Sequence, residues 1–278
     1  MSSSPVPGSS IFTSSSDTTD TPQAAKNLAP AVMKAAQILD VFAQSNGPIS
    51  LAELARTVDL PKSTLHTLCN TLVHLRLLHR LDTGQMSFGP HVMTWANAFL
   101  SRSDVTQEFF SVWNEVNVLP QETITLSVLD GGSVIYIACR NGNRPLGVTF
   151  RIGMRLPAPY TATGKAMLST WPEHETRALY AKDWPQPLTP AGTPNLAAFL
   201  DEMNKIRDRG FSVDDGEVRE GMHCFGAPVF DSTGGRAVAG VAVSMLSQEI
   251  TPESELAAGN AIRLIADRLS QRLGANIR

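Results

Sequence analysis

The stretch Ile49-Ser-Leu-Ala-Glu-Leu-Ala-Arg56, continued by Thr57-Val-Asp-Leu-Pro-Lys-Ser-Thr64 and Leu65-His-Thr-Leu-Cys-Asn-Thr-Leu72, decides how the chain is read. Ser50 and Glu53 stand at the spacing of a capping box, in which the hydroxyl accepts from the Glu53 amide and the carboxylate reaches back to the Ser50 amide. The helix so opened runs to about Val58. Asp59-Leu60 then makes a tight turn, and Pro61 suits a first helical position, where a missing amide hydrogen costs nothing. A further helix follows to about Leu75. Upstream, Val32, Ala35, Ile38, Leu39 and Phe42 fall at i, i+3, i+4 spacing within 31–45, and Asn46-Gly47-Pro48 stops that helix. Two helices joined by a short turn, with a third packed across them, form a helix-turn-helix.

On the last of these helices Leu65, Leu68, Leu72 and Leu75 are expected to form the buried stripe, leaving Lys62, Ser63, His66, Thr67 and Asn70 on the other side. Those side chains suit a DNA groove. Free amides and the helix dipole at the first turn favour a phosphate, while Lys62, Ser63 and Thr64 can bond backbone oxygens or base edges. Next come two short strands, 77–81 and 85–88, around Asp82-Thr-Gly84, which read as a wing carrying Arg80 and Gln85 toward the flanking minor groove or phosphates.

The chain has 278 residues, 42% hydrophobic and 18% charged, which favours two compact units and excludes a membrane span, since no uncharged apolar run reaches 18 residues. Cys69, Cys139 and Cys224 lie far apart and show no metal-ligand spacing, so neither a disulfide framework nor a metal or cofactor site is expected, and a cytoplasmic location fits. Residues 1–27, rich in Ser, Thr and Pro and without a signal-peptide pattern, read as a disordered tail. The net charge of −3 argues against indiscriminate coating of nucleic acid, yet it conceals a contrast. Residues 26–90 carry six bases against four acids, a local +2. So small an excess implies that useful DNA affinity requires a dimer on two half-sites.

The segment 49–64 resembles the IclR family of bacterial transcriptional regulators. Two further stretches carry the same resemblance: Arg151-Ile-Gly-Met-Arg155 through Thr161-Ala-Thr-Gly-Lys165, and Gly210-Phe-Ser-Val-Asp-Asp-Gly-Glu-Val-Arg-Glu-Gly221 to Cys224-Phe-Gly-Ala-Pro-Val-Phe-Asp231. The resemblance implies an α+β architecture: a winged helix-turn-helix at 28–89, a linker helix at 90–103, and a GAF-like α/β effector-binding domain at 104–274. It also implies a dimer or tetramer whose affinity for double-stranded operator DNA changes with a small-molecule effector. Val92, Met93, Ala96, Phe99 and Leu100 form a stripe on the linker helix, which either pairs with a partner subunit or covers its own core.

In the C-terminal half, alternation and β-branched content place strands at 122–129, 133–139, 146–151, 211–213, 223–230 and 236–246, with helices at 161–169, 173–180 and 196–209. Hairpin-linked strands with helices on one side give a sheet with one exposed pocket face. By resemblance the effector pocket draws on Gly153, Met154, Asp214, Cys224 and Ser244. Backbone amides and a hydroxyl can hold a carboxylate there, and a small cysteine admits a ligand beside the sheet, although an unpaired cysteine is also an ordinary buried apolar residue. Ala158-Pro159 and Ala242 replace polar groups found in many relatives, which points to an organic or aromatic acid with an apolar body.

The rival reading is an enzyme or binding protein that uses Cys224. His223 is its neighbour, but adjacent strand residues face opposite ways, so the pair cannot form a nucleophile and base. Gly164-Lys165 lacks the first glycine and the following Ser or Thr of a phosphate loop, and Lys165 is expected to decorate a helix start. No catalytic residues are expected.

Overall fold

A computed structural model of the chain describes residues 28–101, 104–116, 118–142 and 150–276. The contacts divide it into two compact units, one ending at residue 102 and one beginning at residue 103. The tail 1–27 and residues 146–149 of the expected strand at 146–151 lie outside the described residues.

The first unit contains α1 Pro30–Gln44, α2 Leu51–Thr57, α3 Lys62–His74, a hairpin of β1 Leu78–Arg80 with β2 Met86–Phe88, and α4 His91–Ser101. The capping box at Ser50 and Glu53 forms in both directions. Pro61 sits one position earlier than expected, before the helix rather than inside it. The core joins Ile38, Phe42, Leu54, Leu65, Cys69, Leu72, Leu78 and Met86. Two stripe assignments need correcting. Leu75 is exposed, because α3 ends at His74 and the chain reverses through Arg76 at φ 60, while Cys69, four residues after Leu65, takes an inward place. Val32, on the first turn of α1, is exposed as well. Val92 packs against the core, whereas Met93, Trp95, Ala96 and Phe99 are exposed, so most of the α4 stripe does not cover its own core.

The second unit contains α5 Asp104–Val116, β3 Thr123–Asp130, β4 Ser133–Arg140, β5 Arg155–Pro157, α6 Ala162–Leu168, α7 Glu173–Leu179, α8 Leu196–Arg209, β6 Ser212–Asp215, β7 Met222–Val229, β8 Ala239–Leu246 and α9 Pro252–Arg272. Its strands form one antiparallel sheet in the order β5-β4-β3-β8-β7-β6. Gly226 and Gly240 show which face α6 occupies: a Cβ on either would come within 2.5–2.7 Å of the Ala162 or Thr163 carbonyl oxygen. The alternate residues of β7 point away from α6, and there Phe225 meets Phe211 edge to face, and the Phe211 ring lies against Gly259 of α9. The sheet is therefore covered on both faces, not on one. The sequence reading overlooked α9, although its signals are present: Thr251 and Ser254 form a capping box around Pro252, and Ala258, Ile262, Ile265, Ala266 and Leu269 form its buried stripe.

Two strand boundaries also move. Ile152 and Gly153 make a turn with Gly153 at φ +84, Phe150 and Arg151 belong to no strand, and among the described residues the edge strand is β5. Gly234 and Gly235, both at positive φ, hold the chain in a turn, and β8 starts only at Ala239.

Candidate functional site

In the first unit, one side of α3 presents Lys62, Ser63, His66, Thr67 and Asn70 to solvent, while Thr64 is half-buried. Pro61 has no side chain able to cap the helix, so the first-turn amides gain no capping side chain. Thr67 donates its hydroxyl to the Ser63 carbonyl at 3.0 Å and keeps its lone pairs outward. The wing joins the helix through Arg80, whose Nη2 donates to Asn70 Oδ1 at 3.2 Å; Asn70 Nδ2 lies 3.2 Å from His66 Nδ1. Gln85 is half-buried instead of projecting, with its amide toward the Pro48 carbonyl at 3.5 Å and its Oε1 near the Thr83 hydroxyl. The structure thus gathers six of the eight expected groups onto one exposed surface, with Thr64 and Gln85 set back.

In the second unit, strand register places Asp214 of β6 opposite Cys224 of β7, and Cys224 opposite Ser244 of β8. All three are buried on the α6 face. The Cys224 thiol donates to Ser244 Oγ at 3.2 Å. Asp214 Oδ1 accepts from the Glu217 and Val218 amides at 2.7 and 3.2 Å, closing the loop that follows β6. Met154 packs into the same cluster. Gly153 does not bring a free amide: its N–H donates to the Tyr136 carbonyl at 2.7 Å, and the Met154 N–H donates to Arg151. Those two donors, expected for a carboxylate, are already engaged.

Three contributors escaped the sequence reading. Tyr136 is buried on this face beside Cys224 and Asp214, with the Phe150 ring tilted against its own at 5.1 Å between centroids. Its signal was the alternation of β4, which cannot say which face a residue takes across the irregularity between Leu126 and Ser127. Lys165 is fully buried rather than decorating a helix start. Its Nζ donates to the Val213 carbonyl at 2.8 Å and pairs with Glu217 at 2.5 Å, and Glu217 also accepts from Thr193. Gly164 serves packing: a Cβ there would stand 2.3 Å from the Ala158 carbonyl oxygen.

Burial dominates the electrostatics. It pushes Asp214 up to about 7, against the pull of Lys165 and with the help of Glu217. Burial, followed by the neighbouring Asp214, holds the Cys224 thiol far above its ordinary range, and burial likewise raises Tyr136. A thiol so held is a poor nucleophile. His223 lies on the other face, its Nδ1 3.1 Å from Asp215 Oδ1, and so cannot serve Cys224 as a base. Among the described residues no His, Cys, Asp and Glu group suits a metal ion, and no helix is long and apolar enough to cross a membrane. The row thus sets polar hydrogen-bonding groups beside the aromatic and apolar side chains of Tyr136, Phe150 and Ala242.

Residues 97–271 match the family described as bacterial transcriptional regulator IclR C-terminal, and residues 31–82 match the IclR helix-turn-helix domain. The chain is 28% identical over 227 residues to the HTH-type transcriptional regulator XynR of Escherichia coli K12, covering 81% of this chain and 89% of that protein. The solved structure of the Agobacterium tumefaciens repressor BlcR is 43% identical, with a TM-score of 0.60 and coverage of 90% of this chain and 99% of that one. An IclR homologue from Microbacterium hydrocarbonoxydans, solved in complex with 4-hydroxybenzoate, has a TM-score of 0.74 at 17% identity, covering 88% of this chain and 100% of that one, a likeness of fold.

Proposed function

Because the chain belongs to the IclR family of bacterial transcriptional regulators, with its helix-turn-helix DNA-binding domain and C-terminal effector domain, we propose that it reads operator DNA with α3 and releases or grips it according to an acid effector bound on the α6 face. In this reading 28–89 is the DNA reader, 90–103 the linker helix and 104–274 the effector-binding domain, acting in the cytoplasm. The observation that carries it is the exposed polar side of α3, where Lys62, Ser63, His66, Thr67 and Asn70 stand together without a large apolar side chain between them. Such a surface suits phosphates and base edges better than a protein interface, whose centre is apolar.

The effector we assign is an organic acid with an aromatic or apolar body. Tyr136, Phe150, Ala158 and Ala242 supply the apolar walls, and Ser244 and Cys224 supply polar contacts for its head. With its pKa near 7, Asp214 can hold a proton beside an acid group instead of repelling it. A homo-oligomer, dimer or tetramer, follows from the small basic excess of the reader and from the exposed Met93, Trp95 and Phe99 on α4, which suit burial against a second copy.

The test uses the full chain and an operator selected from random DNA. If Lys62 contacts a phosphate, Lys62→Ala weakens binding across sequences and lowers the slope of log K against log salt by about one unit. An unchanged slope removes Lys62 from the interface. A thermal-shift screen of small carboxylates, followed by DNA anisotropy with each hit, tests the effector, because a ligand that switches must favour one of the DNA-free and DNA-bound states. Hits that stabilise the protein but leave DNA affinity unchanged argue against the switch.

A further inference from the structure

Arg80, Asn70 and His66 form a ladder from the wing to the middle of α3. Its hydrogen-bond direction follows from chemistry. A guanidinium offers only donors, so the Asn70 atom 3.2 Å from Arg80 must be the amide oxygen. The amide nitrogen then faces His66, and since it too is only a donor, Nδ1 of the imidazole, 3.2 Å away, must accept. An imidazole that accepts at Nδ1 carries its proton on Nε2. One donor-only cation on the wing thereby fixes the tautomer of a ring on α3, fourteen residues earlier in sequence.

We propose that His66 reads a base pair as a hydrogen-bond donor through Nε2–H, and that Asn70 and Arg80 are positioning residues which lock that tautomer. The inference rests on the reading of α3 as the DNA-facing helix. In the major groove a lone donor pairs with guanine O6 or N7, adenine N7 or thymine O4, and is opposed by the amino group of cytosine. The contact assigned to His66 is N7, the acceptor that guanine and adenine share, so the expected preference at that position is for a purine. Asn70, with its oxygen and one amide hydrogen committed to the ladder, orients His66 and does not itself make the paired contact that an asparagine makes to adenine.

Two measurements on the full chain test this separately. Long-range proton–nitrogen correlation NMR, with the His66 signals assigned by loss in His66→Gln, reports the tautomer without DNA. The wild type should show Nε2–H, Asn70→Ala a mixture, and Asn70→Asp a proton on Nδ1, because its carboxylate still accepts from Arg80 but turns acceptor toward His66. A wild-type proton on Nδ1, or a tautomer unmoved by Asn70→Asp, overturns the ladder. In the second measurement, selection from random DNA should give one position per half-site where a purine is preferred. His66→Ala should lose that preference alone, and replacing the purine by its 7-deaza analogue should weaken wild-type binding between about two- and about twelvefold. Equal binding of the 7-deaza analogue overturns the base contact. Selection of no sequence at all overturns the assignment of α3 as the DNA reader, while the NMR result still decides the ladder.

Discussion

Replacing Lys165 by methionine isolates the least expected interaction in the second unit. The side chain keeps its length and stem but loses the ammonium, which lies 2.5 Å from Glu217 and 2.8 Å from the Val213 carbonyl with only 2% of the side chain exposed. Glu217, 12% exposed, is left with the Thr193 hydroxyl and with Asp214 nearby, and its pKa is already raised by burial. Breaking a buried pair by removing one partner costs about 3–5 kcal/mol. The lower end applies, because Glu217 lines a surface cavity of about 430 Å³ and can relax toward water or take up a proton. A loss of about 3 kcal/mol corresponds to a fall in Tm of about 6–12 °C for a unit of this size. Calorimetry, or urea unfolding followed by tryptophan fluorescence, reads it, and Trp113, Trp171 and Trp184 all lie in this unit. The double variant Lys165→Met with Glu217→Gln should recover part of the loss, since no charge is stranded. A single variant within about 0.5 kcal/mol of wild type, the range of ordinary surface changes, refutes the reasoning, as does a double variant less stable than the single one.

Asp214 gives a pH dependence of definite sign. Its folded value of about 7 lies above the unfolded value of about 3.9, so the stability it permits is fully present below about pH 4 and is lost as pH rises toward about 7. Urea midpoints across that window should therefore show a downward contribution that Asp214→Asn removes; identical profiles for the two proteins contradict the assignment. Gly164→Ala places a Cβ 2.3 Å from the Ala158 carbonyl oxygen, and the backbone on both sides cannot yield cheaply. A loss of about 1–3 kcal/mol is expected in chemical denaturation, and a neutral result means that α6 can shift. Ser50→Ala removes the hydroxyl half of the capping box, so the transition of the first unit should lose about 1 kcal/mol by circular dichroism, with the urea slope unchanged.

The reader unit was legible because its signals are local. Ser50 and Glu53 are three residues apart, the α3 stripe repeats at helical spacing, and Asp82-Thr-Gly84 turns within the wing. Even there, the end of α3 depended on the reversal at Arg76, which no periodicity announces, and so Leu75 leaves the buried stripe. In the second unit, α8 was read with its observed limits, since Asn195 caps its start and Gly210 at φ +81 ends it. The α9 helix carried equally local signals that the reading passed over.

Sequence alone determined, then, that this chain carries a winged helix-turn-helix, where the polar face of its α3 lies, and that an antiparallel α+β unit follows it. Those features come from caps, turns and repeats that act between residues close in the chain. Only the tertiary structure decided that Asp214, Cys224 and Ser244 stand in one row, that Tyr136 joins them, and that Lys165 is buried against Glu217. Alternation along a strand gives two faces but names neither the partner strand nor the register. A lysine is driven inside only when an acid waits there to receive it, and for Lys165 that acid lies 52 residues further along the chain.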